Sequence, residues 1–426
     1  MKKKIAVISL VIFASCHNRT PLIGSAFADS LPGSYSPASL LGSNDREMQF
    51  WKGRIDTTRP GEINEARYAG ALVTRFRYTG AIADIFTADS VYAGIDSVYR
   101  HRISGPLMQL VTTDMLTHHF SDADTLLERA RALGVESYTE NNVRFDVLFE
   151  LGRWQEAAFQ LRALQHYRDY NYYFRKAKYE HLLGHTDSAL AAIRRAATLA
   201  SQPGLKALAL SNEGDLLLHT GRFPEAAQNL KMALRLNPAD LHTLLGIGWI
   251  ALIHDQDTTL AGRIFRYSAQ HNALPDPYFK LYQLEQWRED SAGELYFART
   301  FAARASQPEY GGMYNKYLIE LYSGILHSPE RSEAIAYREL QNRATPQTYA
   351  WYAYALLCNH KQEAAYQVFE KNVSGKPLEA VELFYCGKVL KAAGKGYDAN
   401  AYFDAALKSR ADLSSAMIAE IESSAE

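Results

Sequence analysis

The sequence predicts an all-α protein, a solenoid of about ten stacked helical hairpins, and three observations carry that expectation. Small residues return at fixed offsets in stretches of about 34 residues, large apolar residues between them keep helical spacing, and Gly or Pro falls where a helix must turn or stop. Composition agrees. The 426 residues are 47% hydrophobic and 22% charged, ordinary for a folded chain and wrong for disorder throughout, collagen or a rod. Lys and Arg number 46 against 47 Asp and Glu, so no basic excess marks a nucleic-acid binder. Three cysteines cannot make a disulfide framework, and 27 Tyr mean that large rings do much of the packing.

From the N-terminus, Lys2, Lys3 and Lys4 precede the apolar run Ile5 to Ala14, then Ser15 and Cys16, the order of a secretory signal. Ten apolar residues are too few to span a bilayer, which needs ~20. The end of the run, Phe13-Ala14-Ser15-Cys16, resembles a bacterial lipobox with Phe13 in place of the usual Leu. That resemblance implies removal of residues 1–15 and a lipid on Cys16, with the chain exported to an outer membrane or cell surface. The rival is cleavage after Ala26-Phe27-Ala28, leaving a periplasmic or secreted protein. Residues 16–45, rich in Ser, Gly and Pro, read as a flexible tether. The alternative is an arm packed on the fold through Leu22, Ile23, Phe27, Leu40 and Leu41. Residues 46–137 then hold two hairpins, 62–100 and 105–134, broken around Thr79-Gly80 and Ser121-Asp122.

The repeat is clearest over 207–240, where Gly214, Gly221, Ala226, Ala233 and Pro238 stand at positions 8, 15, 20, 27 and 32. Gly387, Gly394, Ala399 and Ala406 repeat it in 380–413, and Ala177, Gly184, Ala189 and Ala196 in 170–206. Positions 8, 20 and 27 are where antiparallel helices come closest, which only a small side chain permits. This pattern resembles the tetratricopeptide-repeat superfamily, strongly over 138–275 and 345–413. The units 276–306 and 309–343 keep only helical periodicity and breakers such as Pro308 and Pro329. The resemblance implies a right-handed α-solenoid over 138–413. Leu413, Met417, Ile418 and Ile421 give residues 414–426 the pattern of a helix capping its open end.

The resemblance also implies a role, since members of that superfamily act as scaffolds holding protein or peptide along a concave groove formed by the first helix of each hairpin. Groove positions carried onto this chain give Asn142, Asp146, Arg175, Lys178, Ser211, Asn212, Asp215 and Trp249. Polar groups able to bond peptide backbone alternate there with apolar platforms. The carboxylate clamp of a chaperone-binding subset is not kept, because its places hold Asn142, Asp146, Arg175, Leu208 and Asn212. Arg175 and Lys178, one turn apart, can still hold a carboxylate or form a solvated helix face.

Gly246-Ile-Gly248-Trp-Ile-Ala251 matches a dinucleotide fingerprint but lies within a helix rather than after a strand. His118 and His119 diverge, and His181 and His185 lack the partner glutamate of a zinc motif, so neither cofactor nor metal is expected. Cys358 and Cys386 read as buried thiols. The expectation is a non-enzymatic envelope scaffold. Two alternatives stand beside it: a glycan-capturing outer-membrane lipoprotein with Tyr310, Tyr314, Tyr317 and Trp351 as the sugar platform, and a hydrolase needing titratable groups gathered in one pocket.

Overall fold

The computed structural model describes residues 20–56 and 61–424; Cys16 and most of the signal segment lie outside them. Its 24 α-helices in the described residues begin with α1 (Ala26–Asp29), α2 (Leu31–Ser34) and α3 (Ala38–Lys52). Ten antiparallel hairpins follow, with no strand among the described residues. Hairpin 1 is α4 (Ile63–Thr79) with α5 (Ala83–Val98), hairpin 2 α6 (Ser104–Leu116) with α7 (Phe120–Leu133), and hairpin 3 α8 (Ser137–Glu150) with α9 (Trp154–Leu164). Hairpin 4 pairs α10 (Tyr170–Leu182) and α11 (Thr186–Leu199), hairpin 5 α12 (Pro203–His219) and α13 (Phe223–Leu236), hairpin 6 α14 (Leu241–Ile253) and α15 (Thr258–His271). Hairpin 7 joins α16 (Asp276–Trp287) to α17 (Ser291–Ala305), and hairpin 8 joins α18 (Asn315–Ser323) to α19 (Pro329–Asn342). Last come hairpin 9, α20 (Pro346–Cys358) and α21 (Gln362–Asn372), hairpin 10, α22 (Ala380–Ala392) and α23 (Gly396–Leu407), and the final helix α24 (Ser415–Ser424). The α-solenoid expected from the spacing is the fold observed.

Close approach explains the small residues. Ala177, Ala189, Ala196, Ala226, Ala233, Ala399 and Ala406 are all buried. A Cβ placed on Gly214 would meet Leu230 at 2.7 Å, and one on Gly248 would meet Phe265 at 2.5 Å, so a large side chain of the second helix fills the gap the first helix leaves. Gly248 is thus a packing residue within α14, and the dinucleotide match has no strand or βαβ unit around it.

Each hairpin turns through one residue in the left-handed region. Gly80, Gly152, Gly184, Gly221 and Gly394 serve in five, and His118, Gln256, Glu289, His327 and His360 in the others. The weak look of units 276–306 and 309–343 follows from this, because Glu289 and His327 stand where glycine would have announced the turn. In hairpin 2 the turn is at 117–119, so the break expected at Ser121-Asp122 instead lies inside α7.

The solenoid closes on itself after six hairpins. Thr79 O in the turn of hairpin 1 accepts the amide of Ala273, ahead of hairpin 7. Thr117 O in the turn of hairpin 2 accepts the amide of Gly312 ahead of hairpin 8, and His118 O accepts Asn342 Nδ2 at 2.7 Å. At the end of α8 in hairpin 3, Glu150 pairs with Arg343 at 3.2 Å ahead of hairpin 9. His181 of hairpin 4 faces Glu379 at 3.4 Å ahead of hairpin 10, and His219 of hairpin 5 bonds Asp412 at 2.6 Å beyond it.

Residues 20–45 correct the expected flexible tether. The backbone N–H groups of Leu22 and Ile23 donate to the Asp255 carboxylate at 2.9 and 2.7 Å, and Lys231 Nζ donates to Leu22 O at 2.7 Å. Ile23, Ala28, Leu31 and Tyr35 are buried in the largest core cluster, beside α13 and α15. The packed arm named as the alternative is what forms, through Leu22, Ile23 and Phe27 as that alternative had it and through Ala28, Leu31 and Tyr35 besides, since a few deep anchors suffice to order a segment that is otherwise polar. At the other end Leu413, Met417 and Ile421 are buried in one cluster with α22, and α24 packs against α16. Cys386 is buried and Cys358 partly so, both as free thiols.

Overpacking such a crossing costs ~1–3 kcal/mol. Ala226→Leu is therefore expected to lower the free energy of unfolding by that amount in chemical denaturation, while Leu at exposed Asn400 leaves it unchanged.

Candidate functional site

First helices face inward, and closure turns the concave side into a lumen rather than an open trough. Between hairpins 5 to 8 on one side and the segment from Glu379 through Met417 on the other lies a cavity of about 450 Å³. Asp215 and His219 reach it from α12, His242 and Trp249 from α14, Asp276 and Lys280 from α16, and Lys316, Tyr317 and Glu320 from α18. Helical periodicity puts these groups together, since residues three or four apart share a face. The chain's own C-terminal segment forms one wall: Trp249 Nε1 donates to Ala411 O at 2.9 Å and His219 Nδ1 meets Asp412 at 2.6 Å.

The lumen is dense in charge. Asp215 bonds His242 at 2.7 Å and lifts its pKa to about 9, although the ring is 68% exposed, so lumen water screens the pair and its weight in stability is small. Burial works against a charged His219, yet the Asp412 bond outweighs it and the pKa is raised. Burial also pushes the Asp276 carboxyl up against the bond it accepts from Tyr314 Oη at 2.6 Å. Lys316 holds Glu382 at 3.0 Å, and Glu382 accepts Trp351 Nε1 at 2.7 Å. Lys280 lies 3.9 Å from the Trp249 ring centroid, donates to Gln283 at 2.9 Å, and is depressed by burial to about 8. Glu320, raised by burial to about 7, is partly buried on the same wall.

Of the residues expected to bind a ligand, Asp215 and Trp249 line this cavity. Arg175 pairs with Asp146 at 2.5 Å, and Lys178 with Glu150 at 2.7 Å while lying 4.4 Å from the Phe149 ring centroid. Both cations therefore hold carboxylates of the preceding repeat, a ladder that continues through Glu150 to Arg343. Asn142 donates to Tyr138 O at 2.8 Å and is buried, Ser211 is buried and accepts from Thr243 at 2.9 Å, and Asn212 donates to Leu208 O at 2.9 Å. Lys280, Lys316 and Glu320 were missed, being in units where the repeat pattern fades; Lys280 nevertheless occupies position 5 of the unit beginning at Asp276, a groove position by the same rule.

The sugar platform does not form. Tyr310, Tyr314 and Trp351 are buried at 5%, 3% and 5% exposure, and Tyr317 alone of the four lines the cavity, packed 4.4 Å from Phe279. Among the described residues no group of three His, Cys, Asp or Glu is placed to hold a metal, and no helix is long and apolar enough to cross a membrane.

No protein-family model and no curated protein sequence matches the chain. Solved structures do. The chain is similar to the Cut9–Hcn1 hetero-tetramer of the APC/C at 14% identity, over 85% of this chain and 67% of that one, with a TM-score of 0.46. It is similar to a tetratricopeptide repeat protein from Parabacteroides merdae at 16% identity, over 64% and 99% of the two chains, with a TM-score of 0.36. A Rap protein complexed with Competence and Sporulation Factor matches at 10% identity over 72% and 97%, with a TM-score of 0.42.

The His219–Asp412 bond has a definite sign with pH. A histidine whose folded pKa is raised stabilises fully below its ordinary value of 6.5, and that contribution is lost as pH rises through the raised value. His219→Gln is expected to cost about 1–2 kcal/mol at pH 6 and progressively less at higher pH, read from thermal melts across the range.

Proposed function

We propose that the chain is a tetratricopeptide-type scaffold of the bacterial cell envelope, non-enzymatic, which binds protein or peptide partners through the concave face of its first helices. The observation that carries this reading is the lumen: inward-facing rings and charged groups surround open space at the centre of a rigid stack, the arrangement that peptide recognition uses. Ten hairpins with small residues at their crossings support membership of the superfamily.

For the address, the signal-like run and Cys16 support export with a lipid anchor. Packing of the arm supports cleavage before Cys16 over cleavage after Ala28, since the latter would delete Ile23 and Ala28 from the core and leave Asp255 and Lys231 without the backbone groups they bond. Five residues separate Cys16 from Leu22, so an anchored body would stand within ~20 Å of the bilayer surface.

Glu320 favours a second reading, since a carboxyl lifted to about 7 in a cavity is suited to proton transfer. Against catalysis, the neighbouring carboxylates are engaged: Asp215 by His242, Asp276 by Tyr314 and Asp412 by His219.

Cys16→Ala is expected to move the protein from the detergent phase to the aqueous phase on fractionation of expressing cells; unchanged partitioning would remove the anchor. A photo-crosslinker at Leu208, 45% exposed on α12, is expected to capture envelope proteins that one at Tyr296, 63% exposed on the outer helix α17, does not. Equal capture at both positions would count against the concave face as the binding surface.

A further inference from the structure

Ion pairing within the lumen is complete except at three side chains. Asp215 holds His242, Asp412 holds His219, Glu379 faces His181 and Lys316 holds Glu382. Left over are Asp276, whose carboxylate accepts from Tyr314 Oη at 2.6 Å, and the pair Lys280 and Glu320. Both members of that pair line the cavity, on neighbouring first helices, and among the described residues neither comes within 4.0 Å of an opposite charge. Lys280 has Trp249 beneath it and the Gln283 amide oxygen at 2.9 Å, so its ammonium is oriented but not neutralised.

We infer that the lumen binds a small zwitterion with a free ammonium and a free carboxylate, an amino acid or a peptide of about two or three residues, its carboxylate on Lys280 and its ammonium on Glu320. The inference deepens the reading of the chain as a peptide-binding scaffold by naming the ligand end-groups, and it rests on that reading for the peptide class.

Charge accounting separates a zwitterion from its rivals. Asp215, Asp276, Glu320 and Asp412 all act on Lys280, so an anion without a cationic group would bring a further negative charge among them. A plain amine on Glu320 would leave the half-buried Lys280 ammonium without an ion-pair partner, which is costly. A ligand carrying both charges satisfies both side chains and leaves the lumen's net charge unchanged. Burial currently drives the two toward neutrality, Glu320 upward to about 7 and Lys280 downward to about 8, as expected of groups waiting for partners. Trp249, Tyr317 and Phe279 line the same cavity and supply apolar wall, so an aliphatic or aromatic side chain on the ligand is preferred over a charged one. The size agrees, because about 450 Å³ lies within the range of small-ligand pockets.

Isothermal titration of the full chain with trileucine, trialanine and the free amino acids tests the inference, with N-acetylated and C-amidated trileucine as blocked forms. Trileucine is expected to bind, with each blocked form weakened at least about tenfold. In Glu320→Gln the penalty for acetylation disappears and that for amidation persists; in Lys280→Met the reverse holds. Absence of binding by every zwitterion at about 5 mM overturns the inference, as does equal binding of free and blocked peptides. Tighter binding of spermidine or of succinate than of any zwitterion overturns it too. Should either variant fail to fold, free against blocked peptide on the unmodified chain decides. Failure here with crosslinking intact on the concave face removes the zwitterion site and leaves the scaffold role standing; loss of crosslinking with peptide binding intact does the opposite.

Discussion

The turn of each early hairpin docking into the linker six hairpins later is the constraint on which the rest of the molecule depends. Nearest-neighbour stacking alone would give a solenoid of any pitch with an open concave face. Here Thr79, Thr117 and His118 offer carbonyl oxygens to the following turn of the superhelix, and Glu150, His181 and His219 offer polar side chains. Five such joints in register convert a one-dimensional stack into a body with contacts some 190 to 230 residues apart in sequence. Breaking one joint leaves part-buried polar groups without partners, so the joints favour a single curvature over a family of them.

Closure also sets what the inner surface can do. An extended peptide lying along many first helices needs a trough, whereas this chain fills part of that space with the segment through Asp412 and with α24. What remains is a bounded cavity in which Lys280 and Glu320 stand among the charges left without an ion pair. The Asp146–Arg175 and Glu150–Lys178 pairs, which lie where a ligand carboxylate was expected, instead tie one repeat to the next and feed into the joint at Arg343. Charge that reads as binding chemistry in a repeat can thus be structural, and the distinction depends on neighbours 30 residues away.

Local chemistry made the hairpins legible in the sequence and hid the closure. Gly214, Gly387 and Ala226 stand where helices cross, and packing leaves those positions almost no choice, so their spacing reveals the stack. Where Glu289, His327 and His360 accept the left-handed turn conformation, the glycine signal vanishes although the hairpin is the same. The arm was misread because composition averages over Ile23, Leu31 and Tyr35, whose burial depends on α13 and α15 rather than on their own neighbours. Asp215 and Trp249 were found because their units are regular, and Lys280 and Glu320 were lost because theirs are not. No local pattern encodes a contact such as Glu150 with Arg343, since it depends on the accumulated rotation of six repeats.

A designed disulfide tests the closure most directly. A Cβ on Gly152 would lie 3.5 Å from Thr345 Cβ, within disulfide reach, although the two are in hairpins six apart. With Cys358 and Cys386 replaced by Ser, the double variant Gly152→Cys, Thr345→Cys should oxidise to an intramolecular crosslink in the folded monomer, migrating faster on a non-reducing gel. Failure to crosslink under conditions that oxidise a control pair within one hairpin would show that the turns of the superhelix do not meet, and the lumen would be lost with them.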